Sequence, residues 1–148
     1  MTIDILPTIA ELTATKRPEH AIDGKSIWPL MSGAKDAKSP HDALFFYYGD
    51  NLLEAVRSGR WKLHFPHPYR TMDGRSGGKD GRPNPYATKR TGLELYDLSA
   101  DIGETKDVAA EHPDVVERLE KLADRIRAEL GDSGRGIAPA ALRPADRI

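Results

Sequence analysis

An α+β fold, with a small four-stranded antiparallel sheet and a C-terminal helix packed on one face, is what the sequence predicts. Three observations carry that expectation. Residues 43–65, ALFFYYGDNLLEAVRSGRWKLHF, read as three successive strands separated by turn residues. Leu93–Leu98, LELYDL, reads as a fourth strand. Val115, Leu119, Leu122, Ile126 and Leu130 then recur at helical spacing between Pro113 and Gly131.

The strands differ in how they announce themselves. Leu44–Tyr48 is apolar and aromatic throughout, too uniform to have one wet face. Gly49-Asp50-Asn51 makes a turn, a strand follows over Leu53–Arg57, and Ser58-Gly59 is the expected two-residue hairpin turn. From Arg60 to Phe65 the pattern alternates. Trp61, Leu63 and Phe65 point to one face; Arg60, Lys62 and His64 point to the other. The closing helix has Pro113 in its first turn, Asp114 where the helix dipole favours an acid, and Gly131 as its stop. Its opposite face, with Glu117, Lys121, Asp124 and Arg125, reads as solvated.

Ahead of the sheet, Asp4–Ala14 reads as a helix capped by Asp4, with Ile5, Ile9 and Leu12 on one face. An apolar stripe there needs cover, from this domain or from a partner. Three regions follow: residues 1–42, an N-terminal helix and connecting segment; 43–131, the sheet and its helix; and 132–148, a flexible tail. Within the second, residues 66–92 form a long loop rich in Gly and Pro. It carries Arg70, Arg75, Lys79, Arg82, Lys89 and Arg90 against Asp73 and Asp80.

Composition narrows the classes of function. With 30% charged and 39% hydrophobic residues and a net charge of −1, the chain reads as a soluble globular protein. It lacks the electrostatic field for nucleic acid or a membrane surface, and neither is expected as a partner. No apolar run is long enough to span a bilayer, and no signal peptide is read. The compartment is left open. The absence of cysteine removes disulfides and thiolate metal sites.

Local motifs offer little chemistry. His64 and His67 have an H-x-x-H spacing, but Pro66 and Pro68 preclude the helix that would bring both rings to one metal. They read as ordinary surface histidines, and no metal ligand is assigned. Gly74–Lys79, GRSGGK, is one residue too short for a phosphate loop, and Asp80 replaces its hydroxyl residue. The basic loop, interleaved with Tyr69 and Tyr86, could grip an anion, though solvated charge also explains it. Asp97 and Asp101 lie in a turn and read as backbone anchors.

Five segments in order carry a resemblance. They are DILPT from Asp4, DGKS from Asp23 with Pro29-Leu30, LFFY from Leu44, AVRSGRWK from Ala55, and LYDL from Leu95 with Asp101, Gly103 and Glu104. Together they resemble the C-terminal part of the sulfatase family, arylsulfatase A-like enzymes most of all, over about Ile3 to Leu130. The resemblance implies a fragment of a sulfate-ester hydrolase that packs on and completes a catalytic domain, in cis or in trans. It implies a sulfated small molecule or glycan as ligand. Members use a formylglycine, made from the Cys or Ser of a C/S-x-P/A-x-R motif, together with calcium. No serine here opens that motif: Ser32-Gly-Ala-Lys is followed by Asp36, where Arg is required. No catalytic residue, metal ligand or cofactor is therefore assigned to this chain. By the same resemblance His67 and Arg70 are the candidate substrate-binding residues, and Arg57 and Asp97 anchor sheet and turn. The alternative is a free-standing anion-binding module derived from that domain.

Overall fold

The computed structural model describes residues 1–140. The chain divides into two compact units, Met1–Asp42 and Ala43–Ile148.

In the first unit, a 3-10 turn at Thr2–Asp4 leads into helix α1, Ile5–Leu12; a single helical turn, α2, spans Trp28–Met31. Asp4 does not cap α1 with its side chain, contrary to the sequence expectation. Its carboxylate is buried and accepts from Lys25 N (2.9 Å), the Met1 amino group (2.9 Å) and His41 Nε2 (2.7 Å). Burial raises its pKa, but these hydrogen bonds outweigh burial and hold it at about 2. Thr8 extends the arrangement by donating to Asp4 O (2.6 Å) and accepting from Ile27 N (3.0 Å). Gly24 fits this packing because any Cβ there would stand 1.9 Å from Ile3 O. The residues α1 buries are Pro7, Thr8 and Ala10. The Ile5, Ile9 and Leu12 stripe lies on the outer face. With Ile3 and Leu6, these residues are 45–54% exposed.

The second unit holds six strands: β1 Leu44–Tyr48, β2 Leu52–Ser58, β3 Trp61–His64, β4 His67–Thr71, β5 Ala87–Thr91 and β6 Glu94–Asp97. The main sheet has the order β1-β2-β3-β6 and is antiparallel throughout. Ser58 pairs with Trp61, so the β2–β3 turn is Gly59-Arg60 rather than Ser58-Gly59. Gly59 there has φ +59°, which glycine adopts without a steric penalty. The loop expected at 66–92 is not structureless. β4 and β5 form a separate two-stranded hairpin, with Tyr69 opposite Lys89 and Arg70 opposite Thr88.

Helix α3, Pro113–Leu130, lies on the face presented by Leu53, Val56, Leu63, Phe65 and Leu95. Leu119 and Ala123 enter this core fully, while Val115, Leu122 and Ile126 are partly buried around it. One turn on, Arg127 is also buried. Its Nε donates to Asp132 (2.8 Å), its Nη1 to Asp124 (2.9 Å), and its guanidinium lies 4.1 Å from the Phe65 ring centre. Asp132 is buried too; Ser133 N donates to Asn51 O, and Asp132 bridges to Ile137. Residues 132–137, expected to be loose, are therefore held against the start of β2. The last residues of that expected tail, 141–148, lie outside the described residues.

Leu119→Ala should lower the unfolding free energy by about 2–5 kcal/mol, as expected for a fully buried leucine. Leu122→Ala should cost less, since Leu122 is only partly covered. Urea denaturation followed by tryptophan fluorescence would rank them; equal losses would contradict this placement of the helix.

Candidate functional site

The face of the sheet opposite α3 carries the site. Pairing puts Lys62 across from Tyr96 and His64 across from Glu94, whereas Leu63 and Leu95 pair on the core side. The polar half of β3, read from alternation, thus meets that of β6. With β4 and β5 they enclose a concavity of about 310 Å³ lined by His64, His67, Tyr69, Arg90, Thr91, Glu94, Tyr96 and Glu104.

Glu104 organises one wall. It sits in the left-handed region at φ +54°, a conformation that costs a non-glycine residue about 1–3 kcal/mol. Asp101 holds the loop there by accepting from Thr105 N (2.6 Å) and Lys106 N (2.8 Å). The Glu104 carboxylate then receives Lys62 Nζ (2.7 and 3.0 Å) and His64 Nε2 (2.7 Å). Burial raises the Glu104 pKa, but these two donors outweigh it and the net shift is downward. Burial lowers that of His64, against the pull of Glu104. A neutral His64 donating from Nε2 leaves Nδ1 as an acceptor.

On the other wall, Tyr96 OH donates to Glu94 at 2.5 Å. That bond is the main reason the Glu94 pKa is lowered. Burial, followed by the same bond, pushes the Tyr96 phenol up. Both carboxylates are thus ionised acceptors at neutral pH. The Thr91 hydroxyl oxygen is buried without a hydrogen bond of good geometry.

His67 lines the concavity, but it is not the surface histidine expected from the H-x-x-H spacing. It is only 5% exposed, donates from Nδ1 to Phe65 O (2.7 Å), and has Nε2 3.5 Å from Glu54. Its ring stacks on His64 with centres 5.6 Å apart. Arg70 is exposed on β4 and is not among the lining residues. Arg57 donates to Gly59 O (3.2 Å) across the β2–β3 turn. Asp97 binds the Ser99 hydroxyl (2.7 Å) and Arg60 (2.9 Å), tying down the turn after β6. Lys62 and Glu104 escape a reading by motif because they are 42 residues apart, and Glu94 and Tyr96 because their pair faces a wall completed by other strands. The alternation of LELYDL was the available signal for Glu94 and Tyr96.

The described C-terminal region of aryl-sulfatase matches residues 39–142 of this chain. The chain belongs to the sulfatase family. It is 34% identical over 142 residues to human arylsulfatase A, covering 86% of this chain and 26% of that protein. Among solved structures it is similar to a Bacteroides thetaiotaomicron protein from a locus for metabolism of multiple glycosaminoglycans. That match has 29% identity and a TM-score of 0.57, covering 84% of this chain and 24% of the other. A 2-O GAG sulfatase shares the fold at 23% identity and a TM-score of 0.56, covering 98% and 27% respectively. The chain spans about a quarter of the length of the curated relatives named here.

No residue of this chain is assigned to the formylglycine and calcium that the family resemblance implies. The chain has no cysteine, and among the described residues no three His, Asp or Glu side chains gather as metal ligands. No catalytic step is assigned to them. Also among the described residues, no helix is long and apolar enough to cross a membrane.

Acidification should destabilise the second unit from both sides of Glu104. His64 has a folded pKa below its ordinary value, so protonating it costs stability as pH falls below about 6.5. Glu104, also shifted down, contributes stability above its unfolded pKa of about 4.3 that is lost as pH falls through the folded value. Unfolding midpoints of wild type and Glu104→Gln between pH 7 and 3 should converge toward the acid end. Parallel curves would show that Glu104 carries none of the acid sensitivity.

Proposed function

We propose that this chain acts as the C-terminal region of a sulfate-ester hydrolase, packing on a catalytic domain and contributing a wall of its substrate cleft. The observation that carries the reading is the bare apolar face of α1. Ile5, Leu6, Ile9 and Leu12 are each more than half exposed, although α1 buries a different face within its own unit. A contiguous apolar stripe of this kind marks a surface that another body covers. In a chain that spans about a quarter of its relatives, the catalytic domain is the natural cover. Hydrolysis needs a nucleophile and a cation to offset the charge of the transferring sulfuryl group, and the catalytic domain would supply both.

In this reading the concavity meets the organic part of the sulfate ester. His67 and Arg70 are proposed to act from β4, His67 by fixing the concavity wall and Arg70 by meeting an anionic substituent. The concavity also supports a second reading, a free-standing module for sulfated ligands, since its walls lie within one unit.

The purified chain should not turn over a chromogenic aryl sulfate, with or without calcium. Adding a separately expressed sulfatase catalytic domain should give activity, and Ile9→Glu should abolish that gain without lowering the chain's own thermal midpoint. Turnover by the chain alone would overturn the reading. Undiminished complementation by Ile9→Glu would remove α1 as the docking face.

A further inference from the structure

Three Asp-Gly pairs punctuate the chain: Asp23-Gly24, Asp73-Gly74 and Asp80-Gly81. Such a pair has a chemistry that bulkier neighbours suppress. A side chain on the residue after aspartate shields that residue's backbone nitrogen, and glycine has none. The nitrogen can then attack the aspartate Cγ and form an N–C bond, while its proton and the carboxyl hydroxyl leave together as water. A second water later opens the five-membered imide at either of its carbonyls. Opening at the main-chain carbonyl yields isoaspartate, in which the backbone runs through the former side chain and is one methylene longer. Nothing is oxidised, and the water taken up equals the water lost.

The three pairs stand in unequal surroundings. Gly24 is buried so close to Ile3 that a Cβ would stand 1.9 Å from Ile3 O, and the next amide, Lys25 N, donates to Asp4 (2.9 Å). Swinging the Gly24 nitrogen toward Asp23 Cγ would break that packing. Asp73 is exposed, but Lys89 pairs with its carboxylate and its amide donates to Thr71 Oγ1 (3.1 Å). Asp80 has neither restraint. It and Gly81 are exposed, and among the described residues no hydrogen bond or ion pair holds the Asp80 side chain. Backbone shape does not separate the two turns, since φ is +52° and +73° at Asp80 and Gly81, and +51° and +73° at Asp73 and Gly74. Side-chain restraint does.

We propose that Asp80 is a self-modification site, where isoaspartate forms ahead of the chain's other Asp-Gly pairs and opens the tip of the β4–β5 hairpin. Two features close that tip. Arg82 N donates to Lys79 O (2.9 Å), and Gly78 lies so near that a Cβ would stand 1.7 Å from Arg82 O. An extra methylene between Lys79 and Arg82 lengthens the segment this closure spans and breaks it. The ladder from Thr71–Ala87 to His67–Thr91 lies outside the tip and is kept. The modification needs only water and this chain, so it goes beyond the hydrolase reading and does not depend on it.

The test is ageing of the intact chain in warm neutral buffer, followed by labelling with an isoaspartyl methyltransferase and peptide mapping by mass spectrometry. Isoaspartate should accumulate at Asp80 about fivefold faster than at Asp73, the most that an exposed ion pair such as Asp73–Lys89 confers. Asp23 should stay unlabelled. Lys89→Ala should raise Asp73 to the rate at Asp80, and Asp80→Glu should remove the label at that position. In the aged wild type, amide exchange should quicken around Arg82 while β4 and β5 keep their protection. The wild-type ranking stands without the variants, and label at Asp23 would reveal any variant that failed to fold. Label appearing first at Asp23 or Asp73, no label at Asp80, a folded Lys89→Ala variant with an unchanged Asp73 rate, or loss of protection along the whole hairpin would each overturn the proposal.

Discussion

The guanidinium of Arg127 is the constraint on which the second unit depends. It is enclosed between the Phe65 ring and two carboxylates, and one of these, Asp132, is itself buried. Removing a charge from water costs several kcal/mol, which only close pairing and complete hydrogen bonding offset. Asp132 meets that demand and adds bonds of its own to the Gly134 and Leu53 amides. Helix α3, strand β2 and the turn after the helix are thereby fixed to one another. A leucine at 127 could fill the space, but it would leave the buried Asp132 without its cation.

That arrangement has consequences on the far side of the sheet. With the core face of β3 and β6 committed to α3, alternation forces Lys62, His64, Glu94 and Tyr96 to the other face. They would be a solvated row but for the loop after β6. Asp101 bends that loop until Glu104 reaches back over the strands, and a polar surface becomes a network with fixed acceptors. The strain at Glu104 is local; the contacts that sustain it are distributed over three segments.

How much of this was legible follows from the range of the interactions. The strands and α3 were readable because periodicity and turn residues act over a few positions, as in the alternation from Trp61 to Phe65. The order β1-β2-β3 was implicit in short connections, and the hairpin turn was misplaced by one residue because Ser58, Gly59 and Arg60 all tolerate turns. β4 and β5 were hidden by their composition. Pro68 and the charged Lys89-Arg90 weaken any strand signal, and the pairing joins segments separated by fifteen residues of turn-forming sequence. Nothing local in the sequence marks Arg127 as buried, because burial of a cation is decided by an acid in a later turn. The site was least legible of all. His67 was visible as a candidate, but its burial depends on Phe65 and Glu54, and Glu104 was legible as part of the family resemblance but not as the partner of Lys62 and His64.

The hairpin's separation from the main sheet has an evolutionary corollary. β4 and β5 pair only with each other, so the segment between them, residues 72–86, can lengthen, shorten or change charge without disturbing a single ladder of the four-stranded sheet. Closing a longer loop costs little entropy, about 0.6 kcal/mol for each doubling of its length. Variation at that tip is thus nearly uncoupled from the stability of the core, and related chains can diverge there while keeping the same framework.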